Sequence, residues 1–315
     1  ARSHVSIFEL AEADAPSYPH IISDLDAEGR PLGWVALSGL VADAEMPGML
    51  YGVSDSFLGA QPSIYTIDAT AQPARITAKT VVTRNGHPAQ KIDIEGIALD
   101  GEGGFWLASE GRTDRLIPHA LYRVNADGEI AEEVPFPAEL LAEEIRFGSE
   151  GVTMIGEGDD ATLWIAIQRE WKNDAKGTVK LVSYNIASGE WGAVNYPLEA
   201  PAEGAWVGLS EITAHGDLVY IVERDNQIGD KAQLKALYSV PVAELVSGAL
   251  GGELPTVTKT LVRDLLPDLT STGGYVLDKV EGFAIDASGT GFVVTDNDGV
   301  DDSSGETMFW SIGTL

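Results

Sequence analysis

The chain has 315 residues, with 49 Asp and Glu against 20 Lys and Arg and no cysteine. A formal charge of −29 argues against nucleic acid and anionic membrane as partners, since both need basic surface. The missing thiols exclude disulfides, a thiolate zinc site and a Cys nucleophile, and no apolar run is long enough to enter a bilayer as a spanning helix.

Taken in chain order, HVSIFEL (4–10) reads as an isolated strand, and then a plan repeats five times. Each repeat opens with a hairpin of alternating apolar residues around a polar, Gly-containing turn. The hairpins are SGLVAD…MLYGVSDS (38–56), IEGIALD…FWLASEG (94–111), SEGVTMI…LWIAIQRE (149–170), LSEITAHGDLVYIVERDN (209–226) and VEGFAID…GFVVTDND (280–298). Two more strands follow in each of the first four: SIYTID and ARITAKTVV, HALYRVN and EEVPF, VKLVSYNI and WGAVNYPL, KALYSV and VTKTLVRDL. The fifth has MFWSI, and there the sequence stops. Aligning Ser38, Glu95, Glu150, Glu211 and Glu281 gives spacings of 57, 55, 61 and 70 residues. Repeats of that size built from short strands predict an all-β propeller. The expectation is five four-stranded blades in one domain, 1–315. The N-terminal strand would supply the missing strand of the last blade and leave no open edge. Six blades are the alternative if residues 11–37 hold further strands. PAELLAEEI (137–145) and VAELVSGAL (242–250) are the candidate short helices.

The first strand of a blade lines the central channel, and the second runs back beside it. Glu95 and Glu110 are equidistant from the turn of their hairpin and are therefore expected to face each other. The same reasoning pairs Glu281 with Asp296, Glu150 with Gln168 and Ser38 with Asp55, while Glu223 overshoots Glu211. Glu95, Glu150, Glu211 and Glu281 would then collect at one channel mouth with Asp55, Glu110, Glu223, Asp225, Asn226, Asp296 and Asp298. Two like charges about 6 Å apart repel by roughly 3 kcal/mol at an effective dielectric near 20. A bound hard cation relieves that repulsion. The donors are all oxygen, with no histidine among them, which selects calcium, with magnesium as the alternative, over zinc or copper. DNDGVDDSSGE (296–306) is not an EF-hand loop, because Val294 would fall at its first ligand position.

WLASEGR (106–112), VERDNQ (222–227), DKVEGFAID (278–286) and TDND (295–298) resemble the phytase-like propellers of the "esterase-like activity of phytase" family. More distantly the plan is similar to calcium-dependent lactonase and paraoxonase propellers. The resemblance covers about residues 34 to 312. It implies a secreted or periplasmic calcium-binding propeller acting on phosphate or carboxylic esters. Ser38-Gly39 departs from the pattern, standing where other repeats carry Glu.

No G-x-S-x-G elbow is present. The five histidines show no ligand pairing, and His215 falls in the turn opposite the acidic rim. Metal-assisted hydrolysis remains, with a rim carboxylate such as Glu110 or Glu223 as general base. Arg112, Arg169 and Arg224 follow the second strand in three successive repeats, and Lys279 precedes Glu281. They are candidate grips for a small anionic ester. The rival readings are a non-catalytic calcium-binding module that presents a ligand or protein surface, and a sugar-lactone hydrolase.

Overall fold

The computed structural model describes residues 18–297 and 306–315. Five small sheets stand in a ring as a five-bladed β-propeller. Blade one contains Leu37–Ala42, Met49–Ser54, Ser63–Asp68 and Ala74–Val81, with the short strand Ile21–Ser23 added parallel at its outer edge. Blade two contains Ile94–Leu99, Phe105–Ser109, Ala120–Val124 and Ile130–Pro135. Blade three contains Ser149–Ile155, Thr162–Ile167, Thr178–Asn185 and Trp191–Pro197, edged by Gly248–Ala249. Blade four contains Val207–His215, Leu218–Asp225, Lys235–Pro241 and Thr260–Asp264. Lys279–Ile285, Thr290–Asp296 and Phe309–Thr314 form the described part of blade five. The expected closing strand 4–10 lies outside the described residues. The chain just after it passes beside the last strand, where Phe309 N donates to Pro19 O at 2.9 Å.

The alternating strands bury one face in each space between blades. Leu107, Tyr122 and Val53 fill the first, Trp106, Leu163 and Ile165 the second, Leu181, Ile212 and Ile221 the third, Val222, Leu237 and Phe283 the fourth, and Leu40, Tyr65 and Ala284 the fifth. Residues 137–145 give one helical turn, Ala138–Leu141. Residues 242–250 do not form the expected helix. A single 3-10 turn, Val242–Glu244, is followed by Ser247-Gly248, and Gly248–Ala249 instead pairs with the outer strand of blade three. A short helix not foreseen from the sequence spans Leu266–Thr270.

Each innermost hairpin carries a register shift near its entry. The shifts fall between Leu37 and Gly39, Ile94 and Gly96, Ser149 and Val152, Leu209 and Glu211, and Val280 and Gly282. A bulge leaves its extra residue unpaired and re-aims that side chain. The residues so released are Ser38, Glu95, Glu150, Ser210 and Glu281. The glycine that follows most of them lets neighbouring strands approach: a Cβ on Gly96 would lie 2.6 Å from the Glu150 carbonyl oxygen.

Blade four is therefore aligned one residue differently from the expectation. Ser210 holds the bulge, and Glu211 holds the glycine position. Its side chain reaches across the channel, where Leu40 N of blade one donates to Oε2 at 3.1 Å and Ile212 N donates to Oε1 at 3.0 Å. Blades one and four are not neighbours in the ring, so this contact crosses the axis. Glu211 fills the waist of the channel and does not stand at its rim.

Candidate active site

At the rim a cavity of about 590 Å³ is lined by Glu95, Glu110, Glu150, Glu281, Arg112, Arg224 and Lys279. All seven were expected there from the sequence. Arg115, Arg146, Phe147, Gln168, Trp206 and Asp278 complete the wall.

One side of this cavity is acidic and open. A carboxylate oxygen from each of Asp93, Glu95 and Glu110 lies within 4.8 Å of the other two. Asp93 was missed in the sequence, although it sits two residues before Glu95 in the run DIEG. Its Oδ1 accepts from Ser56 N at 2.9 Å. Glu110 follows its strand directly, so the bulge at Glu95 brings the two carboxylates together although they are not paired in register. None of the three is in an ion pair among the described residues. Burial, then Asp93, push Glu110 up to about 7. Burial also raises Asp55 to about 7; the Phe57 N–H and Lys279 oppose it, and Asp93 and Glu281 add to it. Glu95 is raised well above the usual range by burial, then by Glu150 and Asp93.

The other side is acidic and satisfied. Arg224 Nη2 donates to Glu281 Oε1 at 2.6 Å, and its Nε donates to Ser210 Oγ at 2.8 Å. Its Nη1 lies 3.6 Å from Asp278 Oδ1. Arg224 is thus a buried counter-ion, although its guanidinium still reaches the cavity wall. Glu150 accepts from Gln168 Nε2 at 2.7 Å, as their expected pairing requires.

Several expected residues lie elsewhere. Glu223 is not at the rim. Its carboxylate is buried on the blade-three side, accepting from Tyr196 Oη at 2.9 Å, Lys259 Nζ at 2.6 Å and Glu199 N at 2.6 Å. The register sets it opposite Leu209, on the strand face that turns away from the channel. Asp225 is consumed by its own loop, accepting from Gln227, Gln233 and Leu234 N–H groups beside Lys235 Nζ at 3.1 Å. Asn226 accepts from Trp206 N and so fixes the indole that walls the cavity. Asp296 pairs in register with Lys279, not Glu281, and their charged groups are 3.3 Å apart. Asp55 caps the turn after its strand, accepting from Phe57 N at 2.7 Å. Arg169 sits between the Phe147 and Trp206 rings, 4.7 Å from each centroid. Asp298 lies outside the described residues.

The open cluster is an oxygen-only donor set, with Arg146 and Lys279 near enough to oppose the rise of Glu110 but neither ion-paired to it among the described residues, and it suits a hard divalent ion. Four polar atoms on the cavity residues are buried without a hydrogen-bond partner: Arg112 Nε, Gln168 Oε1, Asp278 Oδ1 and Glu281 Oε2. Buried polar groups are rarely left this way without a ligand, ion or water to meet them.

Fold and site together define a class, a propeller whose channel mouth carries an open carboxylate cluster ringed by arginines. The chain belongs to the phytase-like family described as "esterase-like activity of phytase", which it matches over residues 32–299. No curated protein matches it. Among solved structures it is similar to the hydrazine synthase of Kuenenia stuttgartiensis, at 9% identity and a TM-score of 0.40, covering 89% of this chain and 62% of that one. The chain thus spans less than two thirds of that protein. It is also similar to a putative oxidoreductase (glucose dehydrogenase) of Thermus thermophilus, at 13% identity and a TM-score of 0.41 over 93% and 95% of the two chains. The major allergen of Malassezia sympodialis matches at 12% identity and a TM-score of 0.43 over 93% and 81%.

Proposed function

We propose that this chain is a divalent-cation-dependent hydrolase of small anionic esters, phosphate or carboxylic, acting at the acidic mouth of the channel. The observation that carries the reading is the Asp93–Glu95–Glu110 cluster, three carboxylates converging without an ion pair among the described residues, two of them on a cavity that also holds arginines. Asp93 and Glu95 would hold calcium, or magnesium, with Asp55 adding negative charge nearby, and Glu110 beside them would stay free for proton transfer. A hard cation bound there would polarise the ester oxygen and lower the pKa of a bound water.

The rest falls to the chain. With a pKa raised to about 7, Glu110 exchanges a proton readily at neutral pH. As carboxylate it takes the proton of the attacking water, and as acid it returns it to the leaving oxygen. Arg112 and Arg115 line the same wall, and Arg112 Nε is an unused donor for a substrate oxygen. Phe147 and Trp206 cover one side and limit the water that reaches the ester. A cage closed around an ion would instead favour a purely structural cation; the cavity here is open. A periplasmic or secreted location goes with this reading.

The test is a screen of phosphomonoesters, phosphodiesters, aryl esters and lactones, run with calcium and with chelator, alongside elemental analysis. Turnover that needs the cation and is lost in Glu110→Gln supports the proposal. A stoichiometric metal with no turnover of any ester would leave the binding-module reading in its place.

A further inference from the structure

Arginines in this chain are almost always spoken for. With 49 acidic and 20 basic residues, carboxylates are plentiful, and seven of the ten described arginines are ion-paired, from Arg30 with Asp26 to Arg263 with Asp268. The exceptions among the described residues are Arg115, Arg146 and Arg169. Arg115 and Arg146 line the acidic mouth of the channel, and Arg169 packs against Phe147 and Trp206 of its wall. Chance does not place unpaired guanidinium groups together in a protein of charge −29.

Two of them are held in a stack. Arg146 lies 5.2 Å from the Phe147 ring, Arg169 lies 4.7 Å from both Phe147 and Trp206, and Arg224 lies 5.4 Å from Trp206. Guanidinium groups and aromatic rings thus alternate along one side of the mouth. Stacking uses the faces of the guanidinium groups and leaves their N–H edges free. No hydrogen bond to protein engages those edges on Arg146 or Arg169 among the described residues. The backbone is bent to deliver this arrangement. Arg146 and Phe147 are consecutive non-glycine residues with φ of 85° and 64°, in the left-handed region. Such strain persists where surrounding structure enforces it, and it gathers at ligand sites. The enforcement here is close packing next door, since a Cβ on Gly148 would lie 2.2 Å from the Glu110 carbonyl oxygen and 2.5 Å from His119 Nδ1.

We infer that Arg146 and Arg169, aligned by Phe147 and Trp206, form an oxyanion subsite distinct from the carboxylate cluster. The substrate would then carry two charged parts, the ester at the carboxylate side and a second phosphate or carboxylate group at the stack. This deepens the hydrolase reading and rests on it for the word substrate, but the anion binding itself needs no reaction. Edge-on guanidinium pairs suit the bidentate geometry of both oxyanions.

The test uses the full chain as purified. Titration calorimetry with inorganic phosphate, sulfate and malonate should give saturable binding, with the malonate arm separating carboxylate from tetrahedral oxyanions. Arg146→Ala and Arg169→Gln should each weaken the preferred anion about tenfold or more. Arg146 is exposed, so its variant keeps the wild-type melting temperature and the loss is one of binding. Glu110→Gln should retain or tighten anion binding, since it removes negative charge. If esters are turned over, phenyl phosphate bearing a ring carboxylate should outrun phenyl phosphate, and Arg146→Ala should erase that preference through KM with kcat kept. Wild-type anion affinity in both arginine variants, or no saturable binding in the native chain, would overturn the subsite. Anion binding that persists without any ester turnover would instead remove the hydrolase reading and keep the subsite.

Discussion

The same five innermost strands build both mouths of the channel, yet acids at the two ends behave in opposite ways. At the far mouth Asp43 and Asp286 border a cavity of about 440 Å³ that is otherwise lined by residues such as Leu40, Ile97, Val152 and Ile212. There each carboxylate caps a turn. Backbone N–H groups of Glu45 and Met46 hold Asp43 below the usual range. Asp286 is held low, against its burial, by Ser288, Thr290 and Gly48. At the near mouth Asp55, Glu95 and Glu110 are raised, because burial and neighbouring carboxylates, Asp93 and Glu281 for all three, outweigh the donors and cations they have. Residue type is the same at both ends. What differs is the balance of donors against burial and like charge: several N–H groups meet Asp43 and Asp286, while Asp55 has the Phe57 N–H and lies deeply buried among other carboxylates.

The largest way to disturb this contrast is to remove the counter-ion on the satisfied side of the near mouth. Arg224→Met should cost about 3–5 kcal/mol, because it leaves the buried Glu281 with only the longer contact to Lys279, at 3.6 Å; chemical denaturation measures it. A loss below about 1 kcal/mol would mean that Lys279 suffices as the counter-ion of Glu281.

Next comes pH. Asp55 and Glu110 have folded pKa values of about 7, above those of the unfolded chain. The native state therefore binds more protons than the unfolded state between about pH 4 and 7, and stability conferred by the protonated acids is lost as pH rises through 7. Metal-free protein should lose up to ~3 kcal/mol per group between pH 5 and 8. Asp43 and Asp286 have the opposite sign, so their contribution is present at neutral pH and disappears only as pH falls below their depressed values. Calcium should flatten the upper slope. Urea melts at pH 5 and 8, with and without calcium, read all of this, and a metal-free protein more stable at pH 8 would break the comparison.

Activity gives a third lever. Glu110→Gln should lower kcat for a turned-over ester by about 10²-fold. Asp43→Asn, at the far mouth, should leave kcat unchanged within twofold. The smallest effect belongs between the mouths. Glu211 is raised well above its usual range by burial, and Glu211→Gln, which keeps an oxygen to accept from Leu40 and Ile212, should shift stability by less than about 1 kcal/mol. Glu211→Gly would strand the Leu40 and Ile212 N–H groups and cost about 1–3 kcal/mol.

Blade number and most strands were legible because a period-2 pattern with Gly turns is written locally. The seven rim residues were legible because strand entry and strand exit must meet at one mouth. Register was not. Equidistance from a turn assumes an unbroken ladder, and one extra residue at each bulge moved Asp296 opposite Lys279 and took Glu223 off the channel. Glu211 was misplaced for a related reason. Matching LSEI to IEGI by its Leu and Ile, and not by its Glu, sets Ser210 against Glu95, and that signal was in the sequence. The Arg146–Phe147 corner had no local signal, since two left-handed non-glycine residues are imposed by tertiary packing.

The five bulges also have a consequence in terms of symmetry. A ring of five equal blades presents any axial guest with five equal faces, which suits a round ion but cannot tell one end of an ester from another. Here the released position reads Ser, Glu, Glu, Ser, Glu around the ring, from Ser38 to Glu281. The backbone keeps its fivefold repetition while the side chains abandon it. The result is a directional pocket, with negative charge gathered at blade two and guanidinium groups facing it from the entry to blade three. Polarity of this kind needs only serine at two of the five repeated positions, with no change of scaffold.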